Sequence, residues 1–169
     1  MRTGFLLALL LAAPAFAQDV TPALRRLLGA IDTPPTRAQL VEAGGRDTAM
    51  TLRALASSGR EPMGLRRAAL SALGHFDESA TRATLAQLTR DAAPLVRKAA
   101  VATLGLLVGR GRDTALLQAL VDEAPLVRRA AIVAVSRSQE PEVRAALERR
   151  WAVESDAETR ALLGQALGR

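Results

Sequence analysis

Residues Asp91–Gly105 read DAAPLVRKAAVATLG, and thirty-one residues later Asp122–Ser136 reads DEAPLVRRAAIVAVS. An earlier copy, Glu61–Gly74, reads EPMGLRRAALSALG, and Ser155–Gly168 ends in TRALLGQALG. A unit recurring at this period cannot bury its apolar face alone, so neighbouring copies must stack into an array of helix pairs. Aligned on the Arg that begins the second helix of each pair, Arg37, Arg66, Arg97, Arg128 and Arg160 fall in register at intervals of 29, 31, 31 and 32. Eight residues after each Arg stand Gly45, Gly74, Gly105, Ser136 and Gly168. The central copies carry Ala68-Ala69, Ala99-Ala100 and Ala130-Ala131, small residues that let helices approach closely. Leu73, Leu104, Val135 and Leu167 then fill the layer between repeats.

The pattern D-x-x-x-L-V-R-x-A-A-x-x-x-L-G resembles the second-helix signature of HEAT repeats, in particular the short bacterial HEAT-like type also found in phycobilin lyases. The resemblance implies an all-α, right-handed solenoid of about five helix pairs. It is strongest over Asp91–Gly105 and Asp122–Ser136 and weakest over Thr36–Gly45 and Ser155–Gly168, as end repeats with one solvent-facing side should be.

Composition agrees with helices. The chain of 169 residues is 49% hydrophobic but only 2% aromatic, and it has no Cys. Core bulk must come from Leu, Val and Ala, and disulfides are ruled out. At the start, Arg2, the apolar run Phe5–Ala13 and the Ala15-Phe16-Ala17 signal before Gln18 read as a secretory leader over residues 1–17. The run is too short to span a bilayer, which needs roughly 20 apolar residues. The expected mature chain is Gln18–Arg169, periplasmic or secreted. Its formal charge is one below the +6 of the full chain, because Arg2 leaves with the leader.

Along the mature chain, residues 18–169 form one repeat domain with pairs near 20–45, 46–75, 79–108, 112–137 and 141–168. Pro22–Ile31 places Leu24, Leu27, Leu28 and Ile31 on one helical face. Thr21 is positioned as its N-cap and Pro22 as its first helical residue. Thr36–Ala43 is a short second helix, and a third starts near Arg46 and runs to Ala56. The further helices are expected at Pro62–Leu73, Ser79–Thr89, Ala93–Leu107, Asp113–Val121, Ala124–Val135, Pro141–Trp151 and Ser155–Leu167. The word Arg-Asp-Thr-Ala recurs at 46–49 and 112–115, placing Asp47 and Asp113 to cap helix N-termini.

Three constellations bear on function. Asp91, Asp122 and Glu154 each precede an anchor Arg by six residues. HEAT-like repeats imply a ladder here, in which each Arg bridges the turn carboxylates of its own and a neighbouring repeat. Arg66 departs from the spacing, with only Glu61 near, so its rung is expected to be broken or made differently. One residue after the anchors, Arg67, Lys98 and Arg129 form a basic row, ended by Ala38 and Ala161, along the expected concave face. Trp151, beside Arg149-Arg150, reads as a lid over the joint between the last two repeats, or as an exposed binding anchor.

Other chemistry lacks residues. His75 is the single His, with no His-Glu pair of the kind that the resembling deoxyhypusine-type hydroxylases need; its position past a helix end suits an imidazole bonding the last carbonyls. No nucleophile motif or P-loop appears, and neither metal nor cofactor is expected. The sequence pI near 11.4 is compatible with a nucleic-acid binder. Against it stand the leader and a mature chain whose only aromatics are Phe76 and Trp151, so no nucleic acid is expected. The expected role is an exported, non-enzymatic scaffold that binds another protein, an acidic one if charge carries the contact, through the concave face, with Arg67, Lys98, Arg129 and Trp151 as candidate contacts. Two other roles stay open: an envelope component that meets anionic polymers through the basic row, and, more remotely, an enzyme or a lyase- or hydroxylase-like subunit.

Overall fold

The computed structural model describes residues 22–30, 33–109 and 113–169. Thr21, Ile31, Arg112 and the leader lie outside the described residues, and with them the Thr21 cap and the cleavage site. Among the described residues the chain is all helix: α1 (Pro22–Gly29), α2 (Arg37–Gly44), α3 (Thr48–Ser57), α4 (Met63–Leu73), α5 (Ser79–Leu88), α6 (Pro94–Val108), α7 (Thr114–Ala119), α8 (Pro125–Val135), α9 (Pro141–Val153) and α10 (Ala157–Leu167).

Prolines at the first helical position start α6, α8 and α9, where a missing N–H costs nothing. Asp113 caps α7, accepting from the N–H groups of Ala115 and Leu116. Asp47 does not do the same for α3, although it stands at the cap. The following Thr48 is buried and donates its hydroxyl to the carbonyls of Gly45 and Leu40. That turn is therefore tied to α2 through a side chain, and the Asp47 carboxylate is left at the surface.

The pairs α3–α4, α5–α6, α7–α8 and α9–α10 each pack internally, and α4, α6, α8 and α10 stack on one another as a second-helix row. This is a HEAT-like α-solenoid. The second helices bury the residues three and seven after the anchor Arg, and α6 and α8 also bury the one before it and the one four after it. In α6 these are Val96, Ala100, Val101 and Leu104, and in α8 Val127, Ala131, Ile132 and Val135, all at 2% exposure or less. Burying one such Val, Leu or Ile stabilises by about 1.5–3 kcal/mol.

The first repeat departs from expectation. The helix that stacks on α4 is α1, whereas α2 packs against α1 and α3. The anchor of the first layer is accordingly Arg25, and Arg37 is displaced from the register. Pro22-Ala-Leu-Arg-Arg is the same word as Pro94-Leu-Val-Arg-Lys and Pro125-Leu-Val-Arg-Arg. Leu24 and Leu28 are buried where that word requires apolar residues. Arg37 instead lies exposed with its guanidinium 5.4 Å from the centre of the Phe76 ring. The interval from Arg25 to Arg66 is 41 residues because α2 is inserted between the two layers.

The ladder is continuous but connected differently from the spacing of six. Each anchor before the last, Arg160, reaches the turn carboxylate of the following repeat. Arg25 grips Glu61 with two bonds of 2.9 and 2.7 Å. Arg66 pairs with Asp91. Arg97 holds Asp122 at 2.8 and 2.9 Å, and Arg128 holds Glu154 at 2.7 Å through both oxygens. Within its own repeat the Arg meets backbone: Arg97 donates to the carbonyls of Asp91 and Ala92, Arg128 to those of Asp122 and Glu123. Arg160 has only the backbone half, bonding the carbonyls of Trp151 and Glu154. The Arg66 rung is thus intact, and the expected Asp122–Arg128 and Glu154–Arg160 carboxylate pairs are not formed. The planar five-donor fork of Arg suits two acceptors in different layers.

A test separates the two connectivities. Asp122→Ala strips Arg97 of its bidentate partner and should destabilise by about 1–3 kcal/mol. In double-mutant cycles by urea unfolding, Asp122→Ala should couple to Arg97→Met by more than about 0.5 kcal/mol and be additive with Arg128→Met. Coupling to Arg128 instead would restore the within-repeat ladder.

Candidate binding face

The anchors Arg25, Arg66, Arg97 and Arg128 are paired with carboxylates in the ladder, so the charge that their layers present comes from the next residue along. Arg67 and Lys98 are exposed, and neither has an ion-pair partner among the described residues. Arg129 is different. It donates to Asp156 at 2.9 Å and lies 3.2 Å from Glu158, which leaves it one-third exposed and largely compensated. Of the three cations of the expected basic row, Arg129 is thus the one already paired within the chain. The reason is local: Glu158 occupies the place that Gly64, Leu95 and Leu126 hold in the other repeats. The hydroxyl of Thr159, then its N–H, with the charge on Arg129 adding to them, also hold the Asp156 carboxyl below its usual range. At the other end the row gains a member. With Arg25 as the first anchor, the residue in register is the exposed Arg26, not Ala38. The row therefore runs Arg26, Arg67, Lys98, Arg129 and ends at Ala161.

Between successive second helices lie open grooves. The α4/α6 groove, about 490 Å³, is lined by Gly64, Arg67, Ala68, Ser71, Leu95, Lys98, Ala99, Ala102 and Thr103. The α6/α8 groove is larger, about 830 Å³, with Lys98, Arg129 and Arg137 around an apolar floor and walls that include Leu106, Leu126, Ala130 and Val133. A smaller one of about 170 Å³ at the α1/α4 joint is edged by His75 and Pro35. The grooves exist because of the small residues. Those two after each anchor (Ala68, Ala99, Ala130) are half-buried and form groove surface, while those three after it (Ala69, Ala100, Ala131) are the ones fully buried between helices.

Two features escaped the sequence reading. Leu106 and Val133 are 77% and 62% exposed on this face, where periodicity alone assigns Leu to a core. Arg137 joins the α6/α8 groove from the turn after α8, outside the register of the row. No Asp or Glu is among the described residues that line these three grooves.

Trp151 lies away from the grooves. It is half-buried against the core at the end of α9, with the guanidiniums of Arg160 and Arg169 at 4.3 and 4.4 Å from its ring. Those stacks place it as a closure within the last pair, with its ring faces taken by this chain's own cations. His75 is exposed, and its backbone N–H, rather than its imidazole, donates to the carbonyl of Ala72. Among the described residues no group of three or more His, Asp or Glu could hold a metal ion, and no helix is long and apolar enough to cross a membrane.

Compared with known proteins, the chain is matched by a family model described as HEAT repeats, over residues 49–120 and 109–168. The matched residues begin inside α3, so α1 and the inserted α2 lie outside them. No curated protein matches the chain.

Proposed function

Since this chain belongs to the HEAT-repeat family, a family of helical scaffolds that often bind proteins, we propose that it is an exported, non-enzymatic scaffold that binds another protein along its second-helix face. The observation that carries the reading is the pair of grooves across α4, α6 and α8. Their floors are small and apolar, their edges carry Arg67 and Lys98 with no ion-pair partner among the described residues, and Leu106 and Val133 stand exposed along the α6/α8 groove. Exposed apolar side chains rimmed by charge mark interaction surfaces. Export rests on the leader pattern of residues 1–17, and the compartment is the periplasm or beyond.

Filling the grooves tests the face. Ser71→Trp with Ala102→Trp places two indoles in the α4/α6 groove at exposed positions. The variant should melt like the parent but lose capture of its partner from the native envelope. Val121→Gln, on an exposed residue after α7, should change neither. Retained capture by the Trp variant would remove the second-helix face from consideration. Capture that fades wholly as salt is raised would favour charge contact with an anionic polymer. For export, the intact mass of protein from its native source should begin at Gln18; a soluble chain keeping Met1 would refute it.

A further inference from the structure

We infer that the partner of this face presents an acidic amphipathic α-helix, laid along the solenoid axis across α4, α6 and α8, with its carboxylates on Arg67 and Lys98 and its apolar edge on Leu106 and Val133. The inference rests on the proposed second-helix binding face and adds the chemistry of the occupant.

Charge complementarity selects an acid. The grooves are edged by cations and contain no carboxylate among their described lining residues. Among the described residues the two central cations have spent none of their charge on ion pairs, unlike the anchors Arg25, Arg66, Arg97 and Arg128. An anionic partner therefore removes no internal salt bridge when it binds, whereas a cationic one meets uncompensated repulsion.

Two parallel rails select a helix. The cations stand one residue after the anchor, and Val133 stands five after it, four residues further along its helix, a distance of about 6 Å at 1.5 Å per residue. The same place holds Ser71 in α4 and Ala102 in α6, with Leu106 one turn further along α6, so the face carries a basic rail and, beside it, a small-to-apolar rail whose large side chains are Val133 and, one turn on, Leu106. A helix about 10–12 Å across covers both at once. An extended chain presents alternate side chains to opposite sides and would engage one rail only. The axial repeat also agrees. Packed helices lie about 8–10 Å apart, and residues seven apart on a helix share a face at a rise of about 10.5 Å. One carboxylate every seventh residue, with an apolar residue four positions after it, meets successive repeats in step. A single small anion would fit one groove but would have no use for cations repeated in the next.

The asymmetry of the row makes the inference specific. Arg129 is already held by Asp156 and Glu158, so the occupant's charge contacts are centred on Arg67 and Lys98.

The test uses the full chain and a synthetic helical peptide of about sixteen residues, Glu at every seventh position and Leu four residues after each. Its controls are a scrambled peptide, a Lys-for-Glu peptide, one interrupted by Pro, and anionic phospholipid vesicles. Saturable binding of the patterned peptide at low salt is expected. It should be about tenfold weaker for Arg67→Gln/Lys98→Gln, as loss of two exposed charge contacts implies, and changed less by Arg129→Gln. All these side chains are at least partly exposed, so melting should stay unchanged and loss of binding reports the surface. Equal binding of the scrambled or Pro-interrupted peptide, or indifference to the Arg67/Lys98 change, overturns the inference. So does vesicle binding that depends on the same cations while the peptide fails, because the surface would then be a membrane contact. If native capture survives Arg67→Gln/Lys98→Gln but is lost on filling the groove with Trp, the binding face stands and this occupant does not. If the Trp-filled variant still captures its partner, the face itself falls.

Discussion

Glu154→Ala is expected to destabilise the protein by about 3–5 kcal/mol, the range for removing one partner of a buried ion pair and leaving the other charged and buried. Glu154 is the most enclosed acid of the ladder, with a side chain of 0% exposure against 6% for Arg128. It accepts from Arg128 through both oxygens at 2.7 Å, from Arg150 at 2.8 Å and from the N–H of Asp156 at 2.9 Å. Its loss strands two guanidiniums and opens the turn that starts α10. For a chain of this length the melting midpoint should fall by about 6–20 °C. Glu154→Gln should lose less, since an amide oxygen still accepts one bond. A shift of the Ala variant below about 1 kcal/mol would place this pair with exposed ion pairs, which contribute little.

The same residue makes a pH prediction. Burial pushes the Glu154 carboxyl up, but the hydrogen bonds from Arg128, Arg150 and the Asp156 backbone outweigh it and bring the group from 4.5 down to about 2. The folded state therefore binds the proton more weakly than the unfolded chain. The contribution is complete above about pH 4.5 and is lost as pH falls from there toward 2. Asp91 moves the same way, with burial opposing and the bonds from Arg66 and the Ala93 N–H prevailing. Glu61 is lowered chiefly by its bond to Arg25. Unfolding midpoints in urea should be flat above about pH 5 and drop steeply below about 4.5, less steeply for Glu154→Gln. A wild-type midpoint that does not change down to pH 3 would mean that the ladder contributes nothing.

Much of this architecture was legible because a repeat states each layer several times. The helices, the buried positions around the anchor and the basic row all follow from aligning Asp91–Gly105 with its copies. The first layer was misread because a fixed period was sought. Pro22-Ala-Leu-Arg-Arg carries the repeat word, but α2 pushes it to an interval of 41, and Arg37 happens to stand nearer the average spacing. The ladder's partners were illegible for a different reason. Asp122 is six residues from Arg128 and twenty-five from Arg97, yet its side chain faces the preceding layer while its carbonyl faces its own. Chain proximity cannot distinguish the two ends of one residue. Arg129 was legible in principle. Glu158 stands where the other layers have Gly or Leu, so the layer after Arg129 places a carboxylate on the same face of the neighbouring helix, within 3.2 Å of that cation. Leu106 was not, because whether α6 continues past Gly105 into solvent depends on the turn that follows it.

Gly105→Ala is expected to cost about 1–3 kcal/mol by overpacking, although exchanging a mid-helix Gly for Ala normally stabilises by up to about 1 kcal/mol. Gly105 does not end its helix. The helix α6 runs on to Val108 and stops at Gly109, whose φ of +66° supplies the left-handed turn. Gly105 is instead where α6 and α8 touch: a Cβ there would lie 2.5 Å from the Cβ of Ala134 and 3.2 Å from its Cα. Neither atom belongs to a flexible side chain that could swing away, so the helices must part. Moving the methyl across the contact should relieve this. Ala134→Gly alone loses about 1 kcal/mol of helix propensity, but added to Gly105→Ala it should recover stability, a coupling of about 1–3 kcal/mol in a double-mutant cycle. Independent, additive effects would show that the contact is loose. The consequence reaches the binding face, because α6 carries Lys98 and Leu106 and α8 carries Val133 across this joint. Parting the helices moves those residues out of step with the next layer. Gly105→Ala should therefore weaken the acidic helical peptide even at temperatures where the variant is fully folded, and the paired change with Ala134→Gly should restore affinity and stability together.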